Sequence, residues 1–217
     1  MQVVGTVVAF GAAPLRDAAR LDATALSCEL LSADFRVIKQ AQGGSLLLLL
    51  CAEADDPALA AASKAARILR RRAGGEALVV LPALPVNPGP QALARLERAA
   101  RLTEACVVQP VGSASWSDAV RCFVEPLAVF GLVGVEPREI HGLVRPRAAV
   151  LHENVAGVLP QARDVLVTCR LRPNASLREV DDAARAVAER APKARLVLAG
   201  PEVGADEGPR VLAASLL

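Results

Sequence analysis

The residues whose types could carry chemistry are few and badly spaced for it. His141 and His152 are the two histidines of a 217-residue chain. With Glu139 or Glu153 they could contribute to a metal site, but their spacing matches no standard ligand pattern and no metal is expected. His152-Glu153-Asn154 is a polar cluster in an apolar neighbourhood. It is a candidate for acid–base work; the plainer reading is a surface or interface loop. The five cysteines are odd in number and form no CxxC, and three lie in or beside apolar runs. Buried, reduced thiols of a cytoplasmic protein fit that usage. There is no GxGxxG, GxxxxGK[ST] or GxSxG. Gly11-Ala12-Ala13 reads as simple turn chemistry. No catalytic residue is assigned.

Composition narrows the classes further. Net charge is +2 with 22% charged residues, too balanced for a general nucleic-acid or anionic-membrane binder. Aromatics are 2% of the chain, which leaves little to stack bases on. The one dense basic run, Arg67, Arg70, Arg71 and Arg72, closes an Ala-rich helical pattern, where cations complement the helix dipole. The longest apolar run, Leu46 to Ala52, is far too short for a membrane span. The N-terminus shows no signal-peptide pattern, so a cytoplasmic location is expected. The length suits one large domain or two small ones.

The elements alternate. Gln2–Phe10 reads as a strand, Leu15–Leu31 has helical spacing, and Phe35–Ile38 is a short strand. Leu46–Cys51 is an uninterrupted apolar run, as a strand buried on both faces should be. A helix is expected from about Pro57 to Arg72, capped by Asp55 or Asp56 and stopped at Gly74-Gly75. Ala77–Leu81, a proline-rich loop from Pro82 to Pro90, a helix to about Thr103 and a strand Ala105–Gln109 follow. Repeated strand–helix–strand argues for a parallel sheet with helices on both faces. Ser117–Gly134 reads as a long helix with Ser117 as N-cap, broken or kinked at Pro126. Trp116 is either a hydrophobic staple or an exposed anchor for a partner. Gly134 to Pro160 is irregular. Then come a strand Asp164–Arg170, a helix opened by Ser176 with Glu179 at capping-box spacing, and strands Arg195–Ala199 and Arg210–Leu216. Asp181-Asp182 reads as a solvated face of that helix.

This order resembles the tubulin/FtsZ family. The similarity is most complete in the last third: Ala162–Thr168, the helix Ser176–Arg190, Ala194–Gly200, the acidic turn Glu202–Glu207 and the strand Arg210–Ser215. Gln2-Val3-Val4-Gly5 is similar to the family's first strand, and residues 45–82 to its phosphate-binding strand–loop–helix–strand. Ser117–Gly134 then stands where the central helix would be, followed by Arg145-Pro146. The resemblance implies an α/β fold with a parallel-sheet, Rossmann-like N-terminal domain over 1–116, a central helix over 117–134 and a smaller α/β C-terminal domain over 135–217. The departures concern the nucleotide. Where the family has GGGTGTG, this chain reads Cys51-Ala52-Glu53-Ala54-Asp55-Asp56-Pro57. The glycines that let backbone N–H groups approach phosphate are gone, and carboxylates would repel it. The family's acid that promotes hydrolysis has no assigned counterpart in Arg147–Asn154, where Glu153 is the only carboxylate.

A shortened, degenerate member of that family is therefore expected: a non-enzymatic assembly or scaffold protein that self-associates or binds a filament-forming paralogue. No cofactor is expected, and nucleotide binding is not. Gly5, Gly11 and Glu53 stand where a residual contact would fall. Arg147, His152, Glu153 and Trp116 are the interface candidates. Two rivals compete: a Rossmann-type enzyme or cofactor binder with its ligand near Gly11, Glu53 and Gln109, and an interaction subunit of a larger complex, compatible with a mean hydropathy of +0.36.

Overall fold

The computed structural model describes residues 5–21, 28–32, 46–73, 75–129, 131–204 and 210–217. The strand expected at Phe35–Ile38, Gln2–Val4, Gly74 and residues 205–207 of the acidic turn lie outside these. Among the described residues ten strands form one sheet. They are β1 (Gly5–Phe10), β2 (Cys28–Ser32), β3 (Leu46–Cys51), β4 (Glu76–Val80), β5 (Cys106–Pro110), β6 (Gly131–Val133), β7 (Arg147–His152), β8 (Asp164–Arg170), β9 (Arg195–Pro201) and β10 (Arg210–Leu216). The spatial order is β2-β1-β3-β4-β5-β7-β10-β8-β9-β6. Pairing is parallel except that β10 runs against β7 and β8, and β6 against β9. Six α-helices are described: α1 (Ala12–Ala18), α2 (Asp56–Ala73), α3 (Pro90–Thr103), α4 (Trp116–Ala128), α5 (Pro137–Leu143) and α6 (Arg178–Arg190). This is the mixed α/β, Rossmann-like fold class that the element order implies.

The core follows from β3. All six of its residues are 0% exposed. Alternate side chains point to opposite faces. Leu46, Leu48 and Leu50 therefore join Val120, Phe123 and Val124 of α4. Leu47, Leu49 and Cys51 join Ala62, Ala65 and Ala66 of α2 and Leu96, Ala99 and Ala100 of α3. Alanines on both helices let them lie close to the sheet. Each leucine so buried contributes roughly 1.5–3 kcal/mol of transfer free energy.

Helix α4 is shorter than its apolar pattern implies, for a reason in its sequence. Pro126 has no N–H to give the carbonyl of Cys122, four residues earlier. The Thr168 hydroxyl of β8 donates to that carbonyl instead, at 3.0 Å. One turn on, Glu125 and Arg170 form an ion pair at 2.9 Å with both side chains 5% exposed. Burial pushes the Glu125 carboxyl up from its ordinary range, against the pull of Arg170 and Arg121. The chain is extended at Val129 and enters β6, where a side chain at Gly131 would meet the Gly200 carbonyl at 2.2 Å. The cap of α4 is Ser115, not Ser117: Ser115 Oγ accepts from the Asp118 N–H, and Asp118 accepts from the Ser115 N–H at 2.9 Å.

Three other expectations are corrected. Leu15–Leu31 is not one helix: α1 ends at Ala18, and Cys28–Ser32 is an edge strand paired with β1. Its helical spacing yields to tertiary pairing. Arg147–His152, expected within an irregular stretch, is the buried strand β7 that joins β5 to β10. A short run buried on both faces shows no alternation to betray it. Ser176 does not cap α6, which starts at Arg178 behind Leu177 with no side-chain cap.

Two predictions follow from this packing. Arg170→Leu leaves the Glu125 carboxylate buried without its partner and lowers unfolding free energy by about 3–5 kcal/mol, while Glu125→Leu/Arg170→Leu recovers most of it; urea titration measures both. Asp164 sits between Arg147 and Arg195, with Arg195 Nε at 2.7 Å. Burial alone would raise its carboxyl, but the hydrogen bonds and charges of the two arginines overcome this and hold it below the ordinary range. A depressed carboxyl stabilises the fold above its unfolded-state pKa and ceases to as pH falls through the folded one. The Tm advantage of wild type over Asp164→Asn is therefore largest near neutrality and shrinks towards acid.

Candidate functional site

The strands β1 and β3 are neighbours whose chains leave towards opposite faces of the sheet. The chain after β1 enters α1, on the side of α4, and the chain after β3 enters α2. Crevices of this kind, at the carboxyl ends of parallel strands, are where open α/β sheets bind ligands. Here a cleft of about 290 Å³ is lined by Phe10, Gly11, Ala52, Glu53, Asp55 and Pro57, among others. The two loops are laced together, Ala52 N–H donating to Phe10 O at 3.0 Å. Gly11 has φ 107° and ψ 166°, and a Cβ there would meet Ala52 Cβ at 2.8 Å. That backbone conformation is open essentially to glycine alone.

Free N–H groups at helix N-termini are what would hold an anion in such a crevice. In this protein carboxylates use one such N–H at α2 and one at the neighbouring α4, while α1, behind Gly11, has no side-chain cap. Asp55 Oδ1 accepts from the Ala58 N–H of α2 at 2.8 Å. Asp17 Oδ2 accepts from the Ser117 N–H of α4 at 2.8 Å. The Asp118 carboxylate closes the α4 capping box and meets Arg210 at 2.7 Å. Glu53, Asp55 and Asp56 are exposed around the cleft. An incoming phosphate would find these donors taken and negative charge in its path.

The opposite edge has the reverse sign. Around the amino ends of the strands and the C-terminal turns of α2 and α3, Arg71, Arg101, Arg145, Arg163, Lys193 and Arg195 are exposed. Glu104 and Glu189, both exposed, and the half-buried Glu76 offset them in part there, beside the buried Asp164.

Of the residues singled out by sequence, Gly11 and Glu53 meet in the cleft, while Gly5 lies buried at the other end of β1. Trp116 is half-buried, its indole N–H donating to Cys51 O at 3.1 Å, so it ties the start of α4 to the end of β3. Arg147 is half-buried against Asp164. Glu153 is paired with Arg210. His152 is 4% exposed, and burial together with Arg190 pushes its imidazole down to about 4. Gln109 is buried and donates to Pro82 O. Glu139 and His141 lie on α5, where Glu139 completes the capping box with Glu136. Among the described residues no three His, Cys, Asp or Glu side chains gather as a metal would need. Sequence reasoning missed Asp17 and Asp118. The Ser115-x-x-Asp118 spacing signals the second; the Asp17–Ser117 contact spans 100 residues and leaves no local signal.

No protein-family model matches the chain, and no curated protein matches it. Among solved structures it is similar to CetZ2 from Haloferax volcanii, in a GTPγS-bound protofilament, with 13% identity and a TM-score of 0.55 over 98% of this chain and 92% of that one. It is also similar to TubZ of Bacillus thuringiensis serovar israelensis in a GTPγS-form protofilament, with 9% identity and a TM-score of 0.44 over 80% of this chain and 60% of that one. At these identities the likeness is one of fold, and it rests on CetZ2: the chain has a tubulin/FtsZ-like fold.

The cleft makes its own prediction. Gly11→Ala costs about 1–3 kcal/mol through its backbone conformation, and Asp55→Ala about 1 kcal/mol through the lost cap. Thermal unfolding of the two variants measures both.

Proposed function

We propose that this protein is a non-catalytic assembly protein with a tubulin/FtsZ-like fold, which associates through its sheet edges without nucleotide. The observation that carries the reading is the acidic lining of the β1–β3 crevice, Glu53 and Asp55, with Asp55 already seated on the Ala58 N–H of α2. That N–H is a natural phosphate donor, and it is already satisfied. A chain that fills its own anion site has no evident use for a triphosphate there. The CetZ2 likeness supports a filament-forming relationship, since that structure is a protofilament.

The partner is best read as a second copy, or a paralogue with the same edges. Glu53, Asp55 and Asp56 lie at the carboxyl edge, and Arg71, Arg101 and Lys193 at the amino edge. Stacking head to tail sets one against the other, a heterologous contact that generates an open chain. Charge complementarity of this kind steers encounter and fixes register. The segments 1–116, 117–134 and 135–217 act in this reading as an N-terminal half, a connecting helix and a C-terminal half of one stacking unit. No described helix is long and apolar enough to cross a membrane, and we place the assembly in the cytoplasm.

Calorimetric titration with GTP and GDP is expected to give no binding heat. Light scattering is expected to show association that rises with protein concentration and falls with salt, as charges become screened beyond roughly 8 Å at physiological ionic strength. Glu53→Lys and Arg101→Glu should each weaken association, and mixing the two variants should restore it in alternating chains, because each reversed edge then faces a complementary one. Micromolar GTP binding with turnover would sink the proposal.

A further inference from the structure

Charge is nearly balanced over the whole chain, but the fold sorts it. Helices α2 and α3 pack side by side on one face of the sheet, over Leu47 and Leu49 of β3. Arg70 of α2 pairs with Glu104, just beyond α3, and lashes their C-terminal ends together. Their outward faces form one broad platform. Among the described side chains of α2 beyond its first turn, the exposed ones are Ala60, Lys64, Arg67 and Arg71. At about 100° per residue they fall within roughly 60° of one another, as one outward stripe. On α3 the corresponding stripe is Arg95, Arg98 and Leu102, with Arg101 at its side. Beyond the acidic start of α2, the exposed acids of this platform among the described residues are Glu97 and Glu104. Glu104 is already engaged by Arg70.

A face kept only for solvation looks different in this same protein. The exposed side of α6 alternates in sign, with Arg178–Asp182 at 3.9 Å and Arg185–Asp181 at 2.6 Å, each one turn apart. Arg67 and Arg71, and Arg95 and Arg98, are like charges at the same kind of spacing. Such pairs destabilise a helix. A partner of opposite sign removes that repulsion.

We infer that the α2–α3 platform docks on a membrane surface rich in anionic lipid, lying flat on the headgroups without crossing them. A basic patch is drawn to such a surface by a potential that needs no groove. Arginine presents a planar fork that matches phosphate. Leu102 decides among the phosphate-bearing partners. It is 61% exposed and lies within the arginine stripe. The boundary of headgroups and acyl chains takes up an aliphatic side chain of that kind. A nucleic-acid backbone offers it nothing apolar, and neither helix carries an aromatic residue on which a base could stack. The platform belongs to a single copy, so docking does not require the head-to-tail contact.

The test sediments the full chain with vesicles of equimolar phosphatidylserine and phosphatidylcholine, and with phosphatidylcholine alone. Binding is expected to the first and not the second, and it should weaken with salt. Each cation near an anionic surface changes partitioning about fivefold, so Arg67→Gln/Arg98→Gln should bind roughly 25-fold more weakly. Arg16→Gln/Arg20→Gln removes the same charge beside α1, on the other face of the sheet, and should bind as wild type does. Leu102→Ser should bind several-fold more weakly with an unchanged salt dependence. These side chains are exposed, so thermal unfolding of the variants should match wild type. Light scattering should match as well; a protein that associates but ignores anionic vesicles keeps the assembly reading and loses this one. Equal loss in Arg16→Gln/Arg20→Gln, or wild-type binding by Leu102→Ser, overturns the inference. So does a short duplex DNA or polyglutamate that binds where the vesicles do not, since the face then belongs to another anion.

Discussion

A single missing N–H organises the junction between the two halves of this protein. Pro126 strips Cys122 of its helical partner, and the freed carbonyl accepts from β8 through Thr168. The Glu125–Arg170 pair lies beside it, buried on both sides. Neither group tolerates separation, because an orphaned carbonyl and an unpaired buried charge are each expensive away from water. The last turns of α4 are thereby fixed to the C-terminal strands. Its first turn is fixed to β3 by Trp116 on Cys51 O and to α1 by Ser117 on Asp17.

The sheet makes the same connection a second time. β7 pairs with β5 on one side and β10 on the other, so backbone hydrogen bonds run unbroken from β2 to β9. One element ties the halves on the face, the other through the plane. A helix anchored at both ends over a continuous sheet favours a single rigid body.

The carboxyl edge shows how a chain can place its own charge at a crevice without changing a fold. The crevice, the positive-φ glycine and the two helix N-termini are all in place. What differs is occupancy of the donors. Asp55 supplies at α2 the negative charge and the acceptor oxygen that a bound anion would otherwise bring. The charge stays at the edge, but it belongs to the chain and does not depend on a ligand. Opposite signs at the two ends of the strands then give the molecule an electrostatic direction.

The strands Leu46–Cys51, Asp164–Arg170 and Arg210–Leu216 were legible in the sequence because uninterrupted β-type apolar runs have few alternatives. The acidic character of the loop after β3 was legible as well, since loop chemistry is local. The edge strand Cys28–Ser32 and the central strand β7 were not: the first carries helical spacing, and the second has only four apolar residues, two of them alanine, between Arg147 and His152. The sequence alone determined which residues are buried in alternation and which charges exist. Only the tertiary structure decided what those charges do. It brings Asp17 to Ser117, Thr168 to Cys122 and Arg170 to Glu125. These contacts join residues far apart along the chain, and no period or spacing encodes them.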